Sequence, residues 1–218
     1  MAIESSDRIE AHFPTIVMQR DHAGAAELNV ALARAIRDLD RLHRLTQDNA
    51  VRSGKVATEG GYQTSLKMNL FQSDAAPIRQ FLDSVLMPAV RRYLQEVFMD
   101  EAAKLTPWPV GWATVLNEGD WQRPHFHPTE KNVASGVYYV QLPQDLPDPQ
   151  GCIDFINPVP ISVHHGYPST RRLHPTEGRL LLFPPYYMHY VLPFKVPGER
   201  IVIAFDVLAQ KPGLKFVF

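Results

Sequence analysis

Apolar residues in the first half of the chain return with the spacing of a helix. Over residues 25–45, leucine and isoleucine recur every three or four positions, with arginine and aspartate between them, which predicts an amphipathic helix. Asp21 is the candidate N-cap of that helix. A second apolar stripe predicts a helix over residues 76–98, which Pro88 should kink or split because proline lacks the N–H of an interior hydrogen bond. The polar residues 52–61 predict a loop or a short hairpin.

After Pro107 the chain changes to short runs rich in β-branched and aromatic residues, separated by proline, glycine and aspartate. The predicted strands cover residues 111–116, 133–142, 152–156, 179–183, 189–194 and 200–208. Short strands spaced by turn residues favour a sandwich or barrel over alternating strands and helices. We therefore predict a mainly β fold with flanking helices, in which the helices pack outside a double-stranded β-helix, the cupin-like jelly roll.

The composition is that of an ordinary globular protein, with 45% hydrophobic and 21% charged residues and no low-complexity linker. We predict a single domain over residues 1–218. Its residues 1–104 should be a mostly helical flanking part, and residues 105–218 should form the β core that carries the functional site.

The charge balance gives no general attraction to nucleic acids or anionic membranes, because the formal net charge is -1. A single cysteine, Cys152, excludes an intrachain disulfide and is expected to be a small buried strand residue. The first residues lack a signal-peptide pattern, and no stretch reaches the roughly 18 apolar residues of a membrane helix. These features predict a cytoplasmic protein without a membrane partner, and they imply no nucleic-acid partner without excluding one.

Two histidines stand two positions apart in the segment that precedes the predicted strand 133–142. Residues two apart on a strand project to the same face, so His125 and His127 would present two imidazoles side by side. Such a pair is half of a metal site. Because imidazole suits iron, zinc, copper and nickel, the pair alone does not choose the metal.

Two further residues stand at suggestive positions in the second half of the chain. His189 follows a glycine-led buried strand, and Arg200 begins another apolar strand eleven residues later. A buried arginine needs an anionic partner, because an unpaired buried charge is costly. A carboxylate that pairs with both arms of its guanidinium would satisfy it.

This order of motifs resembles the 2-oxoglutarate and iron(II)-dependent dioxygenase superfamily. It is similar in wording to a bacterial family of 2-oxoglutarate oxygenases known mainly from genomes. The segments that carry the likeness are HFHP at residues 125–128, SGVYYV at residues 135–140, GCIDF at residues 151–155 and LFP at residues 182–184. The likeness is strong over residues 112–207 and weak before them.

The resemblance implies an enzyme that uses iron(II) and 2-oxoglutarate to hydroxylate an unknown substrate, with release of succinate and carbon dioxide. It makes His125 and His189 iron ligands, and it puts His127 where most members have aspartate. Arg200 is implied to bind the distal carboxylate of 2-oxoglutarate. The residues implied to border the co-substrate are Tyr139 and Thr114.

Histidine in the place of aspartate has physical consequences. Three neutral imidazoles leave the full dipositive charge on the metal, so zinc or nickel also fits the set. If the carboxylate has merely moved, the candidates for the third ligand are Glu130 and Asp120. We prefer His127, because a strand can deliver its two-residue spacing from His125.

Two other functions stay open at this point. One is a three-histidine cupin-type dioxygenase that binds its organic substrate without 2-oxoglutarate, and the other is a metal-binding jelly roll without catalysis. A small molecule or an amino-acid side chain is the expected substrate. Residues 214–218 could pair with a sheet edge in their own chain or in a second copy, which would make a homodimer. Residues 162–177 are expected to be a solvated loop that could act as a lid. The tryptophans, Trp108, Trp112 and Trp121, are expected in the core or at its rim.

Overall fold

The computed structural model describes residues 14–65, 67–127 and 130–210, apart from the side chain of Arg44. Its strands are β1 Met18–Asp21, β2 Thr58–Glu59, β3 Tyr62–Gln63, β4 Thr106–Leu116, β5 Trp121–His125, β6 Asn132–Gln141, β7 Ile153–Ile156, β8 Thr170–Leu173, β9 Arg179–Phe183, β10 His189–Val191 and β11 Arg200–Gln210. The expected strand at residues 214–218 lies outside the described residues.

The strands form two sheets in which every pairing is antiparallel. The larger sheet has the order β1-β9-β6-β11-β4-β3, and the smaller has the order β2-β5-β10-β7-β8. Their facing sides enclose an apolar cluster that includes Tyr139, Phe155, Phe183 and Val202. The predicted jelly-roll fold with flanking helices is therefore confirmed.

The helices are α1 Ala26–Thr46, α2 Ala76–Phe81 and α3 Met87–Phe98, with a π-helical segment at Leu82–Leu86 between the last two. Short 3-10 helices cover Ala50–Ser53, Leu70–Gln72, Met99–Lys104 and Pro160–His165. The helical layer covers the outer face of the larger sheet, where the centroids of the Phe81 and Tyr138 rings lie 4.8 Å apart. No helix of the described segments is long and apolar enough to cross a membrane.

One first-half prediction holds and two need correction. The predicted helix 76–98 is present as α2, the π-helical segment and α3, and the π-helical segment ends just before Pro88, where a kink or split was predicted. Residues 52–61 do not form a hairpin, because β2 pairs with β5 while β3 pairs with β4 of the other sheet. Asp21 does not cap α1, whose N-cap is Ala25.

Asp21 belongs to β1 and pairs with an arginine far along the chain. Arg179 donates from Nε and Nη2 to the two carboxylate oxygens at 2.7 and 3.0 Å. This bidentate pair holds the pKa of Asp21 below its ordinary value. The residue that we expected to begin a helix instead joins β1 to β9.

The side chains of strand β11 point alternately toward the helices and toward the space between the two sheets. One set of its side chains packs toward the helices and includes Ile201, Ile203 and Phe205. The opposite set, Arg200, Val202, Ala204 and Asp206, lines the cavity between the sheets. Because alternate strand residues share a face, one strand supplies both the outer core and one wall of the site.

Candidate metal and co-substrate site

Three histidines meet at the mouth of the space between the sheets. His125 ends β5 and His189 begins β10, and the two are direct partners in the register of these strands. His127 lies beyond the end of β5, where its backbone N–H donates to the Pro185 carbonyl at 2.8 Å. The three rings can each offer a nitrogen within 4.8 Å of the others. His127 therefore reaches the group from outside the strand that was expected to deliver it.

Each of the three rings has its Nδ1 occupied by an oxygen acceptor. The distances are 2.7 Å from His125 to the Arg123 carbonyl, 2.8 Å from His189 to the Tyr187 carbonyl, and 3.0 Å from His127 to Asp206 Oδ1. Because a carbonyl oxygen can only accept, the hydrogen lies on Nδ1 of His125 and His189. Their Nε2 lone pairs are left free for a metal ion.

Burial keeps two of the histidines neutral. Loss of solvent lowers the pKa of His125 to about 4 and that of His189 to about 3. The ring of His189 packs against that of Phe183, with 4.8 Å between centroids. Neutral imidazole is the form that binds a metal ion, so at neutral pH no proton has to leave either ring.

Asp206 lies next to His127 at this site, and we did not predict it from the sequence. Its Oδ1, which faces His127, also accepts a hydrogen bond from Ser135 Oγ at 2.6 Å. Ser135 Oγ in turn accepts from Asn132 Nδ2 at 3.1 Å. The strict alternation of β11 could have indicated it, since Asp206 lies an even number of residues after Arg200.

Trp112 lies closer to the site than expected. Its ring stacks on that of His127, with 5.8 Å between centroids and 20° between planes. It also lines the cavity. We expected it in the core or at the rim, and it forms part of the cavity wall because β4 lies next to β11 in the larger sheet.

Arg200 is buried, with 1% of its surface exposed, and pairs with no carboxylate of the described residues. Its Nε donates to the Gly151 carbonyl at 3.3 Å, and its guanidinium carbon lies 5.2 Å from the centre of the Tyr139 ring. Its Nη1 has no hydrogen-bond partner. Burial lowers the pKa of Arg200 from its ordinary value, although the nearby phenol partly offsets this.

Like Arg200, Tyr139 and Thr114 each have a buried polar atom without a hydrogen-bond partner. The Tyr139 hydroxyl and Thr114 Oγ1 are buried and make no hydrogen bond of ordinary geometry. Val202 is paired with Thr114 on one side and with Tyr139 on the other. Because directly paired residues share a face, both side chains project to the face that Val202 presents to the cavity.

A cavity of about 370 Å³ is lined by the three histidines and Arg200, together with apolar side chains such as Val137 and Ile153. A concave, mostly apolar space with a few convergent polar groups is the usual form of a small-molecule site.

The two alternative carboxylates lie elsewhere. Asp120 Oδ2 accepts from the backbone N–H of Asn117 at 2.7 Å in the turn that leads to β5. Glu130 is exposed. In the part of the chain that the structure describes, neither joins the histidines in a group of potential ligands.

The second half also contains elements that were not predicted. The expected loop at residues 162–177 includes the end of a 3-10 helix and the strand Thr170–Leu173. Cys152 is buried as expected but immediately precedes β7 rather than belonging to it. His164, His165 and His174 are exposed, in agreement with a solvated segment.

The sequence of the β core matches a known family. Residues 111–206 match the family model described as "Putative 2OG-Fe(II) oxygenase". The resemblance to the 2-oxoglutarate oxygenases is confirmed. The match likewise confirms the expected class of oxidoreductase, and at the level of the family it confirms iron(II) and 2-oxoglutarate as cofactors. No curated protein matches the sequence.

Solved structures with the same fold come from several oxygenases. A Pseudomonas putida prolyl-4-hydroxylase is 18% identical, with a TM-score of 0.60 over 89% of this chain and 92% of that one. A Trichoplax adhaerens prolyl hydroxylase, solved with a peptide fragment of the hypoxia inducible factor oxygen degradation domain, is 12% identical, with a TM-score of 0.56 over 88% and 83%. HygX from Streptomyces hygroscopicus, with nickel and 2-oxoglutarate bound, is 16% identical, with a TM-score of 0.51 over 89% and 82%.

Proposed function

We propose that this protein is a 2-oxoglutarate-dependent oxygenase whose iron(II) is held by His125, His127 and His189. The observation that carries the proposal is the position of the isolated polar groups. Arg200, Tyr139 and Thr114 are buried with unmatched polar atoms, and Arg200 lines the same cavity as the histidines. An uncompensated buried cation costs several kcal/mol, on the order of 3–5. A dianionic ligand would remove that cost.

2-Oxoglutarate fits both ends of this arrangement. Its distal carboxylate would accept from the free Nη1 of Arg200, and its other end would chelate the metal beside the histidines. The Tyr139 and Thr114 hydroxyls would then donate to the same distal carboxylate. When bound, iron(II) and 2-oxoglutarate would allow dioxygen to hydroxylate a substrate, with one oxygen atom going to the substrate and the other to succinate as carbon dioxide is released.

Asp206 would compensate for the absence of an aspartate ligand. Its Oδ1 lies 3.0 Å from His127 Nδ1, so it holds the hydrogen on that nitrogen and aims Nε2 at the metal. A carboxylate behind a histidine ligand also increases the basicity of the ring and brings a negative charge near the metal. We infer that the negative charge of the usual aspartate ligand is supplied here by Asp206, which would not bind the metal directly but would be hydrogen-bonded to the ligand His127.

The substrate would approach from the exposed side of the histidines. Phe126 and Lys55 lie on this rim, both line the cavity, and the Phe126 side chain is 45% exposed. We propose a small molecule or an amino-acid side chain that is accessible on a peptide. The structural neighbours include enzymes named for prolyl residues and one solved with a peptide fragment. A cytoplasmic location and a homodimer stay predictions.

The test is an anaerobic titration of the iron(II)-loaded protein with 2-oxoglutarate. We expect one equivalent of iron and a visible charge-transfer band that saturates with 2-oxoglutarate, followed by succinate formation when oxygen is admitted. Metal binding without any response to 2-oxoglutarate would contradict the proposal and favour a three-histidine dioxygenase. A band without succinate, even with candidate substrates, would favour a binding protein.

A further inference from the structure

A second group of metal-binding side chains lies on the outside of the smaller sheet. Asp148 and Cys152 belong to the connection between β6 and β7, and His174 follows the end of β8. Their ligand atoms all lie within 4.8 Å of one another. None of the three residues lines the cavity of the histidine site.

The distances between these atoms match the edges of a tetrahedron around zinc. His174 Nδ1 lies 3.4 Å from Asp148 Oδ1 and 3.5 Å from Cys152 Sγ, and the sulfur lies 3.9 Å from Asp148 Oδ1. Zinc bonds of about 2.0 to 2.3 Å at tetrahedral angles place neighbouring ligand atoms about 3.3 to 3.6 Å apart. Two of the three edges already agree, and a small rotation of the exposed Asp148 side chain would shorten the third.

The chemistry of the set also suits a dication. A thiolate, a carboxylate and a neutral imidazole carry two negative charges, which would neutralise Zn²⁺. Asp148 pairs with no lysine or arginine of the described chain. The side chains of His174 and Asp148 are 59% and 64% exposed, so solvent can supply the fourth ligand.

Hydrogen bonds to their backbone carbonyls hold two of the three residues in place. The Cys152 carbonyl accepts from the Leu192 N–H at 2.9 Å, and the His174 carbonyl accepts from Arg179 Nη1 at 3.1 Å. Burial and the neighbouring Asp148 raise the pKa of the Cys152 thiol to about 11. A bound metal would displace that proton.

We propose that Cys152, His174 and Asp148 form a second metal site that takes Zn²⁺, independent of the three histidines. The ion would join the β6–β7 connection to the end of β8. It would brace the segment whose Gly151 carbonyl accepts from Arg200 Nε. The site would have three protein ligands and one solvent ligand, and it would lie next to the backbone carbonyl that contacts Arg200, the residue that we assign to the co-substrate.

Cobalt substitution gives a signal that only this site can produce. Cys152 is the single cysteine of the chain, so a sulfur-to-cobalt charge-transfer band in the near ultraviolet reports on it alone. We expect Co²⁺ added to chelator-treated, reduced protein to produce this band and Zn²⁺ to abolish it. Cys152→Ser should remove the band. His174→Gln and Asp148→Asn, both at exposed positions, should each weaken Co²⁺ binding at this site by about tenfold or more.

The controls separate this site from the proposed active centre. His125→Ala should keep the cobalt–thiolate band, and His164→Gln, at an exposed histidine outside the cluster, should leave its titration unchanged. The proposal is overturned if the parent protein gives no band. It is equally overturned if His174→Gln and Asp148→Asn bind Co²⁺ as tightly as the parent, since the thiol would then bind the metal without them.

Discussion

Burial of the Arg200 guanidinium lowers the folding stability, because no carboxylate of the described chain pairs with its charge. Replacing it with a shorter neutral side chain should therefore have different effects on stability and on binding. Arg200→Gln is expected to leave the thermal stability of the ligand-free protein unchanged or higher. It should weaken 2-oxoglutarate binding by about 1.5–3 kcal/mol, the range of a charge-assisted hydrogen bond.

Calorimetric titration of the metal-loaded variant and thermal unfolding of the free variant check both parts. Arg172→Gln is the matched control, because Arg172 forms an ion pair with Asp154 on the outside of the smaller sheet. Its 2-oxoglutarate affinity should equal that of the parent. A less stable Arg200→Gln protein with normal affinity would assign Arg200 a structural role.

Asp206 and His127 should behave as one unit toward the metal. Asp206→Asn keeps a group that can accept from His127 Nδ1 but removes the charge, and we expect it to weaken iron(II) binding by about tenfold. Asp206→Ala also removes the acceptor and should weaken binding further. Direct metal titration, read without turnover, measures both. Equal affinity in all three proteins would exclude Asp206 from the site.

The reverse experiment moves the carboxylate back to the metal. His127→Asp should still bind iron(II), because it restores a set of two histidines and one carboxylate. Asp206 would then face a second carboxylate, and the two like charges would repel. The double variant His127→Asp with Asp206→Asn should therefore bind iron(II) more tightly than His127→Asp alone. Equal affinities of the two variants would show that the carboxylates at positions 127 and 206 do not repel each other, and this outcome would contradict the argument.

At the level of helices and strands, the spacing of apolar residues and the position of proline predicted the features that depend only on neighbouring residues. The start and end of the long helix α1 fall within one residue of the predicted range. Pro88 predicted a break, but the π-helical form of that break depends on how Leu86 and Val85 pack in the helical layer. Asp21 was misread because its partner, Arg179, is 158 positions away. An ion pair between residues so far apart in the sequence cannot be predicted from the helix or strand propensity of the residues around either partner.

Strand β6 depends on the absence of a side chain at Gly136. A Cβ at this position would lie 2.4 Å from the Leu181 carbonyl oxygen on β9 and 2.4 Å from the Phe205 ring on β11. The carbonyl cannot move without disturbing the sheet, so Gly136→Ala should destabilise the protein by about 1–3 kcal/mol.

Gly111→Ala is a matched control for this prediction. The three atoms nearest to its Cβ would all belong to the Phe71 ring, the closest at 2.4 Å, and a side chain can turn where a carbonyl cannot. Urea unfolding of both variants should show the larger loss for Gly136→Ala. A larger loss for Gly111→Ala would contradict the argument.

Across the whole molecule, the spacing and the order of residues along the chain each predicted part of the site. His125 and His127 were chosen from their two-residue spacing, His189 and Arg200 were chosen from motif order, and all four line one cavity in the structure. Asp206 and Trp112 were missed because their relation to His127 exists only once the larger sheet faces the end of β5. Such contacts form only when the two sheets pack against each other, and no short segment of the sequence shows how the sheets will pack.

The buried histidines should make the stability of the metal-free protein depend on pH. In the folded state the pKa of His125 is about 4 and that of His189 about 3, against 6.5 for the ordinary side chain. Below about pH 6.5 the unfolded chain therefore binds protons that the folded protein does not. Stability should fall as the pH is lowered from about 6.5 to about 4, by up to about 1.4 kcal/mol per pH unit for each histidine.

Urea unfolding in the presence of a chelator, at about pH 7, 6 and 5, measures this slope. His189→Phe should flatten it, because phenylalanine suits the aromatic surroundings of this position and binds no proton. His164→Gln, at an exposed position, should keep the slope of the parent. Saturating zinc should move the onset of the loss to lower pH, because the ion binds the folded protein and competes with protons for the same nitrogens. If His189→Phe and the parent lose stability equally between pH 7 and pH 5, other groups control the pH dependence.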